Sequence, residues 1–159
     1  MHPEISVLPS RLFYNGALTD GPDLATKTAK PWHNDSKFGV YKVFSVAGNQ
    51  ESAPGKSMKN RTEAQMVLTL YHRLQVAYGR QIKVGVIAPY RGQVNELRGI
   101  FAVRYGGEIL ENVVFNTVDG FQGQEKDIII LYNVRAGPGV QSIGFLNGSF
   151  YHYLDSDLY

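Results

Sequence analysis

The sequence has no cysteine, which excludes a disulfide scaffold and a thiolate metal site. Its four histidines are scattered along the chain and make no ligand cluster, so no metal centre is expected. No apolar run approaches the ~20 residues that a spanning helix requires, and the amino terminus carries no basic-then-apolar leader pattern. A soluble, intracellular chain without a membrane partner is the expectation. A charge excess of one sign is missing too: 16 Lys and Arg against 14 Asp and Glu leave a formal net charge of +2. That balance permits a phosphate-rich partner but does not argue for one. Neither an internal repeat nor a low-complexity segment interrupts the chain.

What is present fits one domain. At 159 residues the chain can bury roughly two thirds of its unfolded surface and hold a real core. Residues 1–37 carry Pro3, Pro9, Pro22 and Pro31 with Gly16 and Gly21, so this segment is expected to be irregular, with short turns of helix at most. Leu12, Phe13, Tyr14 and the lone Trp32 read as anchors packing it on the core; base stacking is the other use of such rings. Tyr41–Val46 alternates toward a strand, and Gly48–Asn60 reads as a loop. Asn60 with Glu63 three residues on is a capping signature that opens a helix to about Tyr78. Met66, Leu70 and Leu74, with Val67 and Tyr71 beside them, are its core stripe. Lys83–Ala88 follows as a strand stopped by Pro89. A helix over Tyr90–Tyr105 then carries Val94, Leu97, Phe101 and Val103 or Arg104 near one side, closed by Gly106 and Gly107.

The most informative stretch is Asn112–Val134. Two apolar β-branched runs, Val113–Val118 and Ile128–Leu131, flank a polar turn containing Gly120 and Gly123. Strands apolar on both faces belong in a covered, usually parallel sheet, and loops leaving the carboxyl ends of such strands are where α/β folds bind ligands. Thr117, Asp119, Gln122, Gln124, Glu125 and Lys126 are expected at that end. The plain alternative is an ordinary polar turn, in which Glu125 and Lys126 are a solvated pair, Asp119 a turn cap and Thr117 a strand residue. The link from Asp119 to Asp127 is shorter than the dozen or so residues of a usual parallel crossover, so periodicity alone leaves a hairpin open.

Three segments carry a resemblance. Thr117-Val-Asp-Gly-Phe-Gln-Gly-Gln-Glu-Lys-Asp127, followed by Ile-Ile-Ile-Leu and Val134-Arg135-Ala136, resembles motif V of superfamily 1 RNA/DNA helicases of the senataxin-like and up-frameshift-like group. Val84-Gly-Val-Ile-Ala-Pro-Tyr-Arg-Gly-Gln93 resembles its motif IV segment, and Met1-His-Pro-Glu-Ile5 the end of its Gln-Tyr-Arg-Met-His-Pro-Glu-Ile stretch. The likeness runs in the family's order from residue 1 to about 146.

The resemblance implies an α/β, RecA-like layer of mainly parallel strands, of the P-loop NTPase type and incomplete at its carboxyl terminus. It implies a domain layout of residues 1–37 packed on the core, 38–146 as the second RecA-like helicase domain and 147–159 as a divergent tail. In such helicases ATP with magnesium lies between two RecA-like domains, and only together with a first domain, in cis or in trans, would the cleft be whole. Gln122, Gly123 and Glu125 are the implied ATP-binding residues, with Glu125 on the ribose. Pro89, Tyr90, Arg91, Gln93 and Thr117 are the implied contacts to single-stranded RNA or DNA; the alternative there is that Tyr90 packs and Arg91 is solvated. The family also places such proteins in the nucleus more than in the cytoplasm.

Departures from the family pattern qualify the activity. A nucleotide hydrolase of this kind needs a Gly-x-x-x-x-Gly-Lys-Ser/Thr loop and an apolar run ending in Asp-Glu; the sequence has neither. The Gln-Tyr-Arg that precedes Met-His-Pro in the family is absent, and Ile143-Gly-Phe-Leu146 runs into a tail without the family's motif VI arginine. No complete catalytic set is present, so inactivity alone is expected, together with a truncated or alternatively ended gene product. A non-catalytic fragment that binds nucleic acid or a partner is the alternative.

Overall fold

The computed structural model describes residues 1–135; the Ile143–Leu146 segment and the tail 147–159 lie outside the described residues. The chain divides into two compact units, the first covering residues 1–45 and the second beginning at Val46.

The first unit is more regular than its prolines suggest. Helix α1 spans Pro3–Phe13 for 11 residues, longer than the short turns expected. Pro3 sits at the first helical position, where its missing N–H is not needed and its fixed φ is already helical, and His2 Nδ1 accepts the Glu4 amide at 3.3 Å. Only Pro9 falls inside the helix. A single turn α2 (Leu24–Lys27) and a 3-10 turn (Pro31–Asn34) follow. Trp32 is buried, edge-on to His33 and with Lys30 Nζ 5.9 Å from its ring centre. Phe13 and Tyr14 are both more than half exposed. Residues 41–46 form no strand; their alternation has no hydrogen-bonded partner strand to recruit it.

The second unit opens with a small hairpin in what reads as a loop. Strands β1 (Glu51–Ala53) and β2 (Ser57–Lys59) pair antiparallel, turned by Gly55 and Lys56, both at positive φ. Three residues per strand are too few to produce a legible alternation. Helix α3 (Arg61–Tyr78) then follows, its first turn capped by Asn60 Oδ1 accepting the Glu63 amide at 3.1 Å, and Gly79 at φ 88 ends it.

Strand β3 (Val84–Ala88), helix α4 (Arg91–Tyr105), a 3-10 turn (Gly107–Glu111), strand β4 (Val113–Thr117), the one-turn helix α5 (Val118–Phe121) and strand β5 (Ile128–Leu131) complete the unit. The sheet order is β4-β3-β5, all parallel, with Ala88 opposite Thr117 and Ile87 opposite Leu131. The short link after β4 therefore crosses β3 and is no hairpin. It manages this because β3 carries Gly85 under the link: a Cβ there would lie 2.5 Å from Phe121 Cζ and 2.9 Å from Ile129 Cδ1. The Phe121 ring occupies the space a side chain would fill.

One sheet face is the core. Val84, Val86, Ala88, Val113 and Phe115 are buried against Val94, Leu97 and Phe101 of α4, with Phe101 edge-on to Phe115 at 4.8 Å and tilted against Tyr71 of α3 at 5.3 Å. At about 1.5–3 kcal/mol per fully buried large apolar side chain, this face fixes the layer. The other face is only partly covered. Ile129 and Leu131 are 46% and 48% exposed, so the double-sided burial expected of all three strands holds for β3 alone. Val103 lies outside the α4 stripe, 90% exposed.

Candidate functional site

Because the three strands are parallel and in register, their carboxyl ends form one rim. The Ala88–Arg91 and Thr117–Gly120 turns leave neighbouring strands there, about 5 Å apart. Thr117 is the cap that the sequence offered to Asp119: its Oγ1 accepts the Gly120 amide at 3.4 Å. Asn116 clips the same turn, accepting the Thr117 amide at 2.9 Å and donating to the Gly120 carbonyl at 2.6 Å. Gly120 is required because a Cβ would strike the Asn116 amide. The Thr117 hydroxyl, half-buried, keeps its own proton to donate.

On the adjacent turn, Arg91 opens α4 and is exposed, Pro89 is partly exposed and Tyr90 is buried. Gln93 is a correction. It is fully buried, with Oε1 accepting the Asn60 amide at 2.6 Å and Nε2 donating to the Asn60 carbonyl at 2.9 Å. Its place in the first turn of α4 points it inward, where it mimics a strand partner for Asn60 rather than facing a ligand. The signal for this was available: a third-position residue on a helix whose stripe begins at Val94 falls on the buried side.

The polar stretch after α5 does not stay at the rim. Gln122, Gly123 and Gln124 line a shallow cavity of about 430 Å³ with Ile87, Val118, Phe121 and Leu131. The crossover then runs back to the amino end of the sheet, where Asp127 Oδ2 accepts the Lys83 amide at 3.1 Å and the Asp127 amide donates to the Lys83 carbonyl at 3.0 Å. Glu125 and Lys126 precede that anchor, so they stand between the two ends; Glu125 is exposed. A nucleotide fits this cavity in part. Two primary amides, a carboxylate further along and the unobstructed backbone of Gly123 at φ 75 suit a sugar and the edge of a phosphate, while no cation lines the cavity to carry a triphosphate.

Sequence reasoning missed a buried polar cluster behind the rim. The Glu63 side chain, which a capping box would turn back to the Asn60 amide, instead accepts the Val134 amide at 2.9 Å, and Asn60 Nδ2 donates to the Val134 carbonyl at 3.4 Å. Burial raises the Glu63 carboxyl above its ordinary value, opposed by the bond from Val134. The Tyr132 hydroxyl is buried with no hydrogen-bond partner among the described residues; burial, then the nearby Glu63, pushes it up. Val134 itself is fully buried at φ 68, a left-handed conformation that is a true outlier for a β-branched residue.

A parallel three-stranded α/β layer with a short helical crossover from β4 to β5 is a RecA-like fold of the P-loop NTPase type. A family model described as an AAA domain matches residues 1–149. The chain is 40% identical over 152 residues to Helicase SEN1 of Saccharomyces cerevisiae, covering 92% of this chain and 7% of that protein. It is 42% identical over 155 residues to Probable helicase MAGATAMA 3 of Arabidopsis thaliana, covering 94% and 19%. It is 38% identical over 155 residues to the Putative regulator of nonsense transcripts 1 of Takifugu rubripes, covering 92% and 14%. The chain belongs to this AAA domain family, among the Sen1-like superfamily 1 helicases. It spans less than a fifth of the length of these curated relatives.

Proposed function

We propose that the chain is the second RecA-like domain of an ATP-dependent RNA or DNA helicase, working in the nucleus and contributing half of an ATP cleft and part of a nucleic-acid groove. The observation that carries this reading is the single rim on which Arg91 and Thr117 leave adjacent parallel strands while Gln122 and Gly123 open a cavity on the crossover beside it. Arg91 supplies a cation and Thr117 a neutral donor to backbone phosphates, contacts that position a single strand without reading its bases. Pro89 and the buried Tyr90 shape that turn. Gln122 and Gly123 approach the nucleotide's phosphate edge, and Glu125 accepts from a sugar hydroxyl. Magnesium ATP supplies the phosphoanhydride whose hydrolysis drives movement. The sequence carries no Gly-x-x-x-x-Gly-Lys-Ser/Thr loop and no apolar run ending in Asp-Glu, the parts that hold the phosphates and magnesium in such enzymes, so in this reading they come from a first RecA-like domain, in cis or in trans.

Alone, the chain should release no phosphate from ATP above background, because the phosphate loop, metal carboxylates and finger arginine supply most of the stabilisation in phosphoryl transfer. Fusing it to the first RecA-like domain of a Sen1-like relative, with that relative's motif VI segment joined after Leu146 to supply the finger arginine, should restore nucleic-acid-stimulated hydrolysis, lowered by Glu125→Gln. Hydrolysis by the chain alone that depends on Glu125, or a fusion indifferent to that substitution, overturns the reading.

A further inference from the structure

Arg135 follows the strained Val134 at the carboxyl end of β5, the third strand end of the rim. Its Nε donates to Gln50 Oε1 at 3.0 Å. No ion pair joins it to a carboxylate among the described residues, whereas Lys59 pairs with Glu96 and Arg61 with Glu51 and Glu96. A half-buried guanidinium therefore presents its terminal amino groups with no carboxylate paired to them among the described residues. Its backbone, by contrast, is over-determined. Val134 is gripped through its amide by Glu63 and through its carbonyl by Asn60, and Asn60 is gripped through both backbone groups by Gln93. Gln93 lies two residues from Arg91 in the first turn of α4. One buried chain of hydrogen bonds thus runs from behind Arg91 to behind Arg135. Left-handed strain at a β-branched residue costs on the order of 1–3 kcal/mol and persists only where its surroundings impose it, typically at ligand-facing positions.

We infer that Arg135 is a phosphate-binding residue of the rim, set in place from behind by the positioning residues Asn60, Glu63 and Gln93. The inference rests on the nucleic-acid and nucleotide reading of that rim and adds its third strand end. A planar guanidinium with Nε engaged still offers its terminal N–H groups to a phosphate oxyanion. The oxyanion belongs either to a single-strand backbone or to a nucleotide, and the experiment separates the two.

The 159-residue chain is titrated by anisotropy with a fluorescein-labelled 15-mer of single-stranded oligouridylate at several potassium chloride concentrations, and separately with a fluorescent ATP analogue. Arg135→Ala should flatten the log–log salt slope by about 0.7, equivalent to about 2.6-fold less loss of affinity between 50 and 200 mM salt. Glu63→Leu, which removes the acceptor for the Val134 amide, should flatten the slope in the same sense with the charge still present, and Glu63→Gln should restore it. A merely structural role for the cluster would lower affinity without moving the slope. If Arg135→Ala spares the oligonucleotide but weakens the ATP analogue, the phosphate is the nucleotide's and the inference stands. If it alters neither while Arg91→Ala still flattens the slope, the inference fails and the rim reading survives. Silence from both arginine variants in both titrations sinks the rim reading, and the inference with it.

Discussion

Replacing Gln93 by leucine decides whether this residue serves the rim or the core behind it. The side chain is fully buried and makes two bonds to one residue, accepting from the Asn60 amide and donating to its carbonyl. Leucine keeps most of the volume and removes both. The two losses are unequal. The Asn60 carbonyl keeps the Ala64 amide at 3.1 Å as the first bond of α3, whereas no other bond to the Asn60 amide is present. One lost bond costs about 1 kcal/mol and one buried orphan amide about 1–3 kcal/mol more; with some relief from burying an apolar group, a net loss of about 2–3 kcal/mol is expected. At a urea slope of about 1–3 kcal/mol/M the midpoint should fall by about 1 M. Circular dichroism at 222 nm is the suitable signal, since it follows α3 and α4, the helices that Asn60 and Gln93 open. Gln93→Glu sharpens the test: its charged form sets an acceptor against the Asn60 carbonyl, while the protonated acid can still donate. Its deficit should therefore be larger at pH 8 than at pH 5. Midpoints within about 0.5 kcal/mol of wild type for Gln93→Leu would be inside the range of ordinary surface changes and would refute the account.

Glu63 gives a pH-dependent counterpart. Its carboxyl is raised on folding from a reference of 4.5, mainly by burial, so its contribution is fully present below the unfolded value and is lost as pH rises through the folded one. Glu63→Gln keeps the acceptor for the Val134 amide without a charge, so urea midpoints should swing in its favour as pH rises through that window; two parallel pH profiles would exclude the mechanism. Gly92→Val places a Cβ 2.5 Å from Ala53 Cβ and 2.9 Å from the Met58 carbonyl. It should cost about 1–3 kcal/mol through overpacking and selectively deprotect the β1 and β2 amides in hydrogen exchange, and unchanged exchange there would count against this packing.

The layer was legible wherever period and punctuation coincided. Val84–Ala88 and Val113–Thr117 are short β-branched runs stopped by Pro89 and by a capped turn, and the α3 and α4 stripes repeat at helical spacing. The α1 helix was missed because the prolines were weighed by count and not by position: Pro3 in the first turn is harmless, and only Pro9 falls in the interior. The β1–β2 hairpin is too short to leave a pattern, and half of the β5 side chains turned out exposed because an apolar run does not say which face is covered. At the rim, Arg91 and Thr117 were legible because strand order places them. For Gln93 the helix stripe marks the buried side but not the partner, and Glu63 and Val134 were not legible, since the partners of all three lie 33 to 74 residues away in sequence, beyond the reach of any local motif. Glu63 was read as half of a capping box when its side chain serves a different strand's exit.

Those separations bear on the order in which the unit assembles. A chain emerging from the ribosome can form α3, β3 and α4 as soon as about 105 residues are out, and Gln93 can then close on Asn60. Glu63 and the Asn60 side-chain amide, however, have no partner until Val134 arrives, long after the helix that carries them. Contacts of such range close late because loop entropy must be spent before they reward the chain. Until then β3, with which both β4 and β5 pair, is open along the edge that β5 will take, and the nascent domain is exposed to association with other chains. Among the described residues these are the latest elements to arrive: β5 covers the open edge of β3 and the turn at Val134 completes the polar cluster, and a pause in synthesis just before them would leave both open.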